Sequence, residues 1–154
     1  MFLKKLGILL LCLFVPLFVG GLAGGLTAGS GMYEGLEKPA FSPPGWIFPL
    51  VWTVLYALMG LSCYLTLMSP YPKGKLWRGL YIATLALNFV WPFLFFTFRA
   101  FLFSFLWILV MWAVGFVLTR EFFTRSKWAG VLFLPYMVWI TFAAYLNYGI
   151  AMLN

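Results

Sequence analysis

Apolar residues do not alternate along this chain, nor do they form a stripe with a polar back. They run continuously for about twenty positions, stop at a short cluster of proline, glycine or charge, and resume. Five such runs fall at residues 6–27, 46–68, 77–98, 100–119 and 128–153. An α-helix rises about 1.5 Å per residue, so about 20 apolar residues cross the ~30 Å hydrocarbon core of a bilayer. Apolar character on every side of each run excludes barrel strands, whose inward face must be polar. The pattern predicts an all-α fold, a bundle of five transmembrane helices forming one domain over residues 1–154, without repeats.

The joints carry the helix breakers. Ser69-Pro70-Tyr71-Pro72-Lys73-Gly74 separates the second and third runs, a tight turn at Arg99 the third and fourth, and residues 120–127 the last two. Only the first joint, residues 28–45, is long. It contains "LEKPAFSPPGW", stiff with prolines, just before a tryptophan-rich run. Ser42 is placed to cap the second helix, with Pro43 at the first helical position, where a missing N–H costs nothing. A stiff loop held over a helix mouth loses little entropy when a ligand binds beneath it, so 28–45 reads as a pocket lid. In the first run, Gly20/Gly24 and Gly21/Gly25 have the spacing that lets helices approach closely. That run is also longer than the apolar core of a signal peptide, about 7–15 residues, and reads as a membrane helix.

Composition agrees: 65% of the 154 residues are hydrophobic, 22% aromatic and only 8% charged, against about 25% charged in soluble domains. A net charge of +7 raises the question of nucleic acid, but the basic residues sit at the ends of apolar runs, as topology determinants do. Lys4, Lys5, Lys73, Lys75, Arg78, Arg120, Arg125 and Lys127 fall on the side of the N-terminus; Lys38 and Arg99 fall on the other. That asymmetry predicts a cytoplasmic N-terminus in a bacterial cell membrane. Cys12 and Cys63 both lie inside apolar runs and read as small buried hydrophobes.

The chain has no histidine, and no run contains Asp or Glu. This removes the usual proton relays of energised transporters, the usual acid–base apparatus of enzymes, and any metal site. The runs hold aromatic rings and a few amides instead. Trp52, Tyr56, Met59 and Cys63 share one helical face, Asn88, Trp91 and Phe95 another, and Trp139, Ala143 and Asn147 a third. Trp46, Trp77 and Trp128, at the ends of runs, read as interfacial anchors. A buried amide needs partners, because leaving it unpaired costs several kcal/mol. Pro92 cannot donate to the carbonyl of Asn88, so a kink is expected beside that amide. Rings, a kink and two amides make either an apolar pocket with few polar fixing points or a set of interhelical hydrogen bonds.

At these residues the chain resembles the TspO family, the tryptophan-rich sensory proteins related to the animal translocator protein. The matching stretches are Tyr33 with "LEKPAFSPPGW", "VWTVLYALMG" from Val51, "LALNFVWPFLFF" from Leu85 and "PYMVWITFAAYLN" from Pro135. The resemblance implies a five-helix bundle, commonly a homodimer, whose pocket under the first loop binds tetrapyrroles such as protoporphyrin IX. Carried over by motif, the ligand-binding positions are Tyr33, Trp52, Tyr56, Asn88, Trp91, Phe95, Trp139, Ala143 and Asn147. Protoporphyrin would be a ligand or a substrate, and no resident cofactor is expected. Trp52 and Trp139 match positions tied to light-dependent porphyrin breakdown in some bacterial relatives. They are therefore the candidate catalytic pair, expected to sandwich a flat ligand. Receptor or sensor is the leading expectation, with porphyrin-degrading enzyme and tetrapyrrole transporter as alternatives. Animal relatives end the fifth helix with a sterol motif needing a basic residue; none follows Lys127 here, so sterol transport is not implied.

Overall fold

The computed structural model describes residues 2–29, 31–71 and 74–154. Five helices account for nearly all of them: α1 Phe2–Thr27, α2 Ile47–Leu67, α3 Lys75–Pro92, α4 Phe101–Arg125 and α5 Lys127–Leu153. All five are long and apolar enough to cross a membrane. The protein is an integral membrane protein of one five-helix bundle. Around the bundle the order is α1, α2, α5, α4, α3, with α3 returning to α1.

Side-chain size sets how closely these helices approach. A Cβ on Gly60 of α2 would run into the Cys12 carbonyl of α1, so backbone meets backbone there. Gly115 of α4 leaves room for Met137 and Tyr136, and the Pro39 ring of the first loop sits on Gly149 of α5. The glycine stripe of α1 behaves otherwise. Gly20 holds the ring of Tyr56, but Gly21, Gly24 and Gly25 have nothing within 4 Å of where a side chain would start. Within this chain they leave a space rather than form a seam.

Three local expectations are corrected. Ser42 does not cap α2: its hydroxyl donates to Pro39 O at 2.7 Å, and the helix starts later, from a turn in which Ile47 N donates to Pro44 O at 3.1 Å. Polarity does not end α4 at residue 119. The helix continues to Arg125, stabilised by the Glu121–Arg125 ion pair one turn apart at 2.8 Å. A single residue, Ser126, then closes α4 and caps α5, its Oγ accepting from Ala129 N at 3.3 Å. Trp77 is no interfacial anchor: it is 2% exposed and packs on Phe122 at 6.3 Å, whereas Trp46 and Trp128 are exposed. Lys73, one of the topology determinants, lies outside the described residues.

After Pro92 the α-helical pattern gives way to a π-type turn, Phe93–Thr97. Phe98 N reaches back five residues to Phe93 O at 2.9 Å. Such a turn is one way a proline-interrupted membrane helix satisfies its backbone. Arg99, at φ 51, then takes the left-handed conformation that reverses the chain into α4.

Candidate functional site

The first loop is tied down at both ends of its span. Gly29 and Gly31, at φ 99 and 55, let the chain leave α1 and turn into a short 3-10 helix, Met32–Gly35. Tyr33, buried beneath this turn, donates its hydroxyl to Pro43 O at 2.9 Å. Burial raises its phenol pKa above the ordinary value. Lys38 Nζ donates to Tyr33 O at 2.8 Å and lies 4.9 Å from the centre of the Tyr33 ring. Glu34 Oε1 accepts from Gly45 N at 3.2 Å, joining the loop to the start of α2. On the far side Tyr145 donates to Ala40 O at 2.9 Å. Asn154 exchanges two hydrogen bonds with the backbone of Glu37, at 3.1 and 2.8 Å. The prolines thus stiffen a strap bonded to itself just ahead of α2 and fastened to α5.

Beneath the strap lies a cavity of about 610 Å³ between α1, α2 and α3. Its α2 wall is Phe48, Trp52 and Tyr56, the last two stacked at 5.4 Å. Its α3 wall is Asn88 and Trp91, extended by Phe96, and its α1 wall is the open glycine stripe. Tyr33 and Glu34 form part of the roof. No Lys, Arg or Asp lines it among the described residues.

The nine positions expected at the pocket divide into two groups. Tyr33, Trp52, Tyr56, Asn88 and Trp91 line this cavity. Phe95, Trp139, Ala143 and Asn147 do not; with Tyr33, Trp52 and Trp91 they surround a second space of about 20 Å³, room for about one water. Trp52 and Trp139 meet only there, and Phe48 packs edge-on against Trp139 at 5.9 Å. That space is too small for a flat ligand between the two tryptophans unless its walls, Phe48 among them, move. Phe48, four residues before Trp52, shares the recognised face of α2 without having been singled out on it, and helical periodicity gave no signal for the α1 wall.

The two amides also differ. Asn147 Oδ1 lies 2.9 Å from Ser104 Oγ and accepts from Trp91 Nε1 at 3.4 Å, while its Nδ2 donates to Ala143 O at 3.1 Å. It joins α3, α4 and α5 and has no polar atom left over. Asn88 Nδ2 donates to Thr84 O at 2.7 Å and to the Tyr136 hydroxyl at 3.0 Å. Its Oδ1 is buried with no partner, on a residue only 2% exposed that lines the large cavity. An unpaired acceptor in such a place is costly unless a guest or a water supplies a donor.

The sequence profile of the TspO/MBR family matches residues 10–153. The chain belongs to the TspO/MBR family. Among its relatives, the tryptophan-rich protein TspO of Chlorobaculum tepidum is 36% identical over 98% of both chains. The tryptophan-rich sensory protein of Cereibacter sphaeroides is 37% identical over 85% of this chain and 82% of its own. The human translocator protein is 35% identical over 75% of this chain and 70% of its own. This TspO/MBR member thus shares its family across nearly its whole length, cavity walls and strap included.

Proposed function

We propose that the protein is a membrane receptor or sensor that binds a planar tetrapyrrole of the protoporphyrin IX class beneath the first loop. The observation that carries this reading is the 610 Å³ cavity itself. Its size falls within the range of about 300–1,000 Å³ common to small-molecule sites, and its walls are aromatic with one orphaned acceptor. The relatives' names, sensory among them, support the same reading. Stacking on Trp52 and Trp91 would hold the ring, and a pyrrole N–H could satisfy Asn88 Oδ1 once a small side-chain shift uncovers that buried atom. Titration of the purified protein with protoporphyrin IX in darkness, followed by quenching of tryptophan fluorescence, tests this. Saturable binding that Gly24→Leu abolishes is expected, because a leucine there grows into the cavity. Equal affinity in a folded Gly24→Leu protein would place the ligand elsewhere.

A second reading rests on Trp52, whose indole lines the cavity against Tyr56. Under light, an excited porphyrin could take an electron from this ring, giving turnover without conventional catalytic groups. Trp139 would join only if Phe48 yields. Loss of protoporphyrin IX under illumination, slowed by Trp52→Phe while dark binding persists, separates enzyme from receptor. A bleaching rate equal to wild type in Trp52→Phe/Trp139→Phe would reduce both tryptophans to wall. We further propose a homodimer with cytoplasmic N-termini, on the family resemblance and the charge asymmetry respectively.

A further inference from the structure

Cys12 on α1 and Cys63 on α2 stand below the cavity and take no part in it. Their sulfur atoms are 3.9 Å apart, both side chains are buried, and both thiols are free. The proximity has a backbone cause. Pro16 has no N–H to offer the Cys12 carbonyl, and that carbonyl lies against Gly60, where a side chain could not fit. With backbone on backbone at this level, two short thiols bridge the remaining gap. A disulfide needs the sulfurs at about 2.0 Å, so the pair must close the remaining gap by side-chain rotation or a small helix shift.

We propose that Cys12 and Cys63 are a dithiol modification site, converted by a hydrocarbon-soluble hydroperoxide into a disulfide that staples α1 to α2. The two S–H bonds and the peroxide O–O bond break, and an S–S bond and two O–H bonds form. Two electrons pass from the sulfurs to the peroxide, and both thiol protons end on oxygen, in an alcohol and a water. Every reactant and product is uncharged, so the step leaves no ion in a low-dielectric interior. The thiolate is the nucleophilic form and burial disfavours it, so these thiols react slowly; an oxidant that reaches them must dissolve in hydrocarbon, as a lipid hydroperoxide does and a polar oxidant does not.

The staple acts on the cavity through the helices that carry it. Leu17 of α1 and Tyr56 of α2 line the cavity, about 8 Å and about 10 Å along their helices from the cysteines at about 1.5 Å per residue. A cross-link here resists separation of α1 from α2, so a guest escapes more slowly; this consequence rests on the tetrapyrrole-binding reading.

The full chain in lipid nanodiscs is treated with cumene hydroperoxide and then unfolded in detergent for maleimide labelling. Both thiols should be lost to maleimide and restored by a phosphine, with the chain still monomeric on a non-reducing gel. Cys12→Ala should leave Cys63 labelled. The oxidised protein should unfold at a higher temperature and release protoporphyrin IX several-fold more slowly. Thiols that stay reactive, or oxygen added to one sulfur without a cross-link, would overturn the site. A cross-link with unchanged thermal midpoint and release would overturn the staple. Failure of reduced and oxidised protein alike to bind protoporphyrin IX would sink the tetrapyrrole reading, leaving the disulfide to stand on labelling and midpoint.

Discussion

Asn88 and Asn147 are the same side chain at similar depth with unequal hydrogen-bond accounts. Asn147 Oδ1 accepts from Trp91 Nε1 and lies against Ser104 Oγ; its loss leaves the buried Trp91 N–H unpaired, while Ser104 keeps its bond to Phe101 O. Asn147→Leu should therefore cost about 1–3 kcal/mol of stability, read as a fall in thermal midpoint. Asn88 lines the cavity and its buried Oδ1 has no partner. Asn88→Leu should weaken a ligand that donates a hydrogen bond by about 1–2 kcal/mol, read as a dissociation constant roughly tenfold higher. Unchanged affinity in a folded Asn88→Leu protein would assign the residue to helix packing through Thr84 and Tyr136. Both amides were legible in the sequence as buried groups in need of partners. Which one had an atom to spare was not, because Ser104 and Tyr136 come from other helices.

At the scale of elements, glycine has two opposite uses. Gly60 lets α1 and α2 touch, while Gly21, Gly24 and Gly25 let α1 stand away from its neighbours. Gly60→Leu should destabilise the fold by overpacking, typically about 1–3 kcal/mol. Gly24→Leu should leave the melting temperature near wild type and remove only the cavity. A Gly24→Leu protein that fails to fold would show instead that the stripe is a packing surface. The Gly-x-x-x-Gly spacing in α1 suggested the seam; Gly60, without such spacing, provides it. Helix ends follow the same lesson. Hydropathy marks where the bilayer ends, but α4 ends where its hydrogen-bonded pattern stops, beyond Glu121 and Arg125.

At the scale of the whole molecule, antiparallel helices gather Lys4, Lys5, Lys75, Arg78, Arg120, Arg125 and Lys127 at one end and Lys38 and Arg99 at the other. With the basic end cytoplasmic, a reporter fused to the C-terminus should be active only outside the cytoplasm. Cytoplasmic activity of that fusion would reverse the orientation. The strap over the cavity is a property of the same scale, since Asn154 and Tyr145 of α5 hold Glu37 and Ala40 of the first loop. Asn154→Ala should loosen the strap and raise the rate of ligand release, measured by stopped-flow fluorescence, with little change in thermal midpoint.

Residue order alone determined the membrane class, the five helices and the family, because each rests on local composition or on motifs a few residues long. It also marked Trp52, Tyr56, Asn88 and Trp91 of the cavity, since the faces of α2 and α3 follow from helical spacing, while Tyr33 came with the family motif. The tertiary structure decided the rest. The order of helices around the bundle makes α1 a cavity wall and places Trp139, Ala143 and Asn147 around the small second space instead. It also brings Cys12 against Cys63 across 51 positions of sequence. Periodicity records which side of a helix a residue occupies. It holds no information about which neighbour that side meets, or about how far away a glycine allows that neighbour to lie.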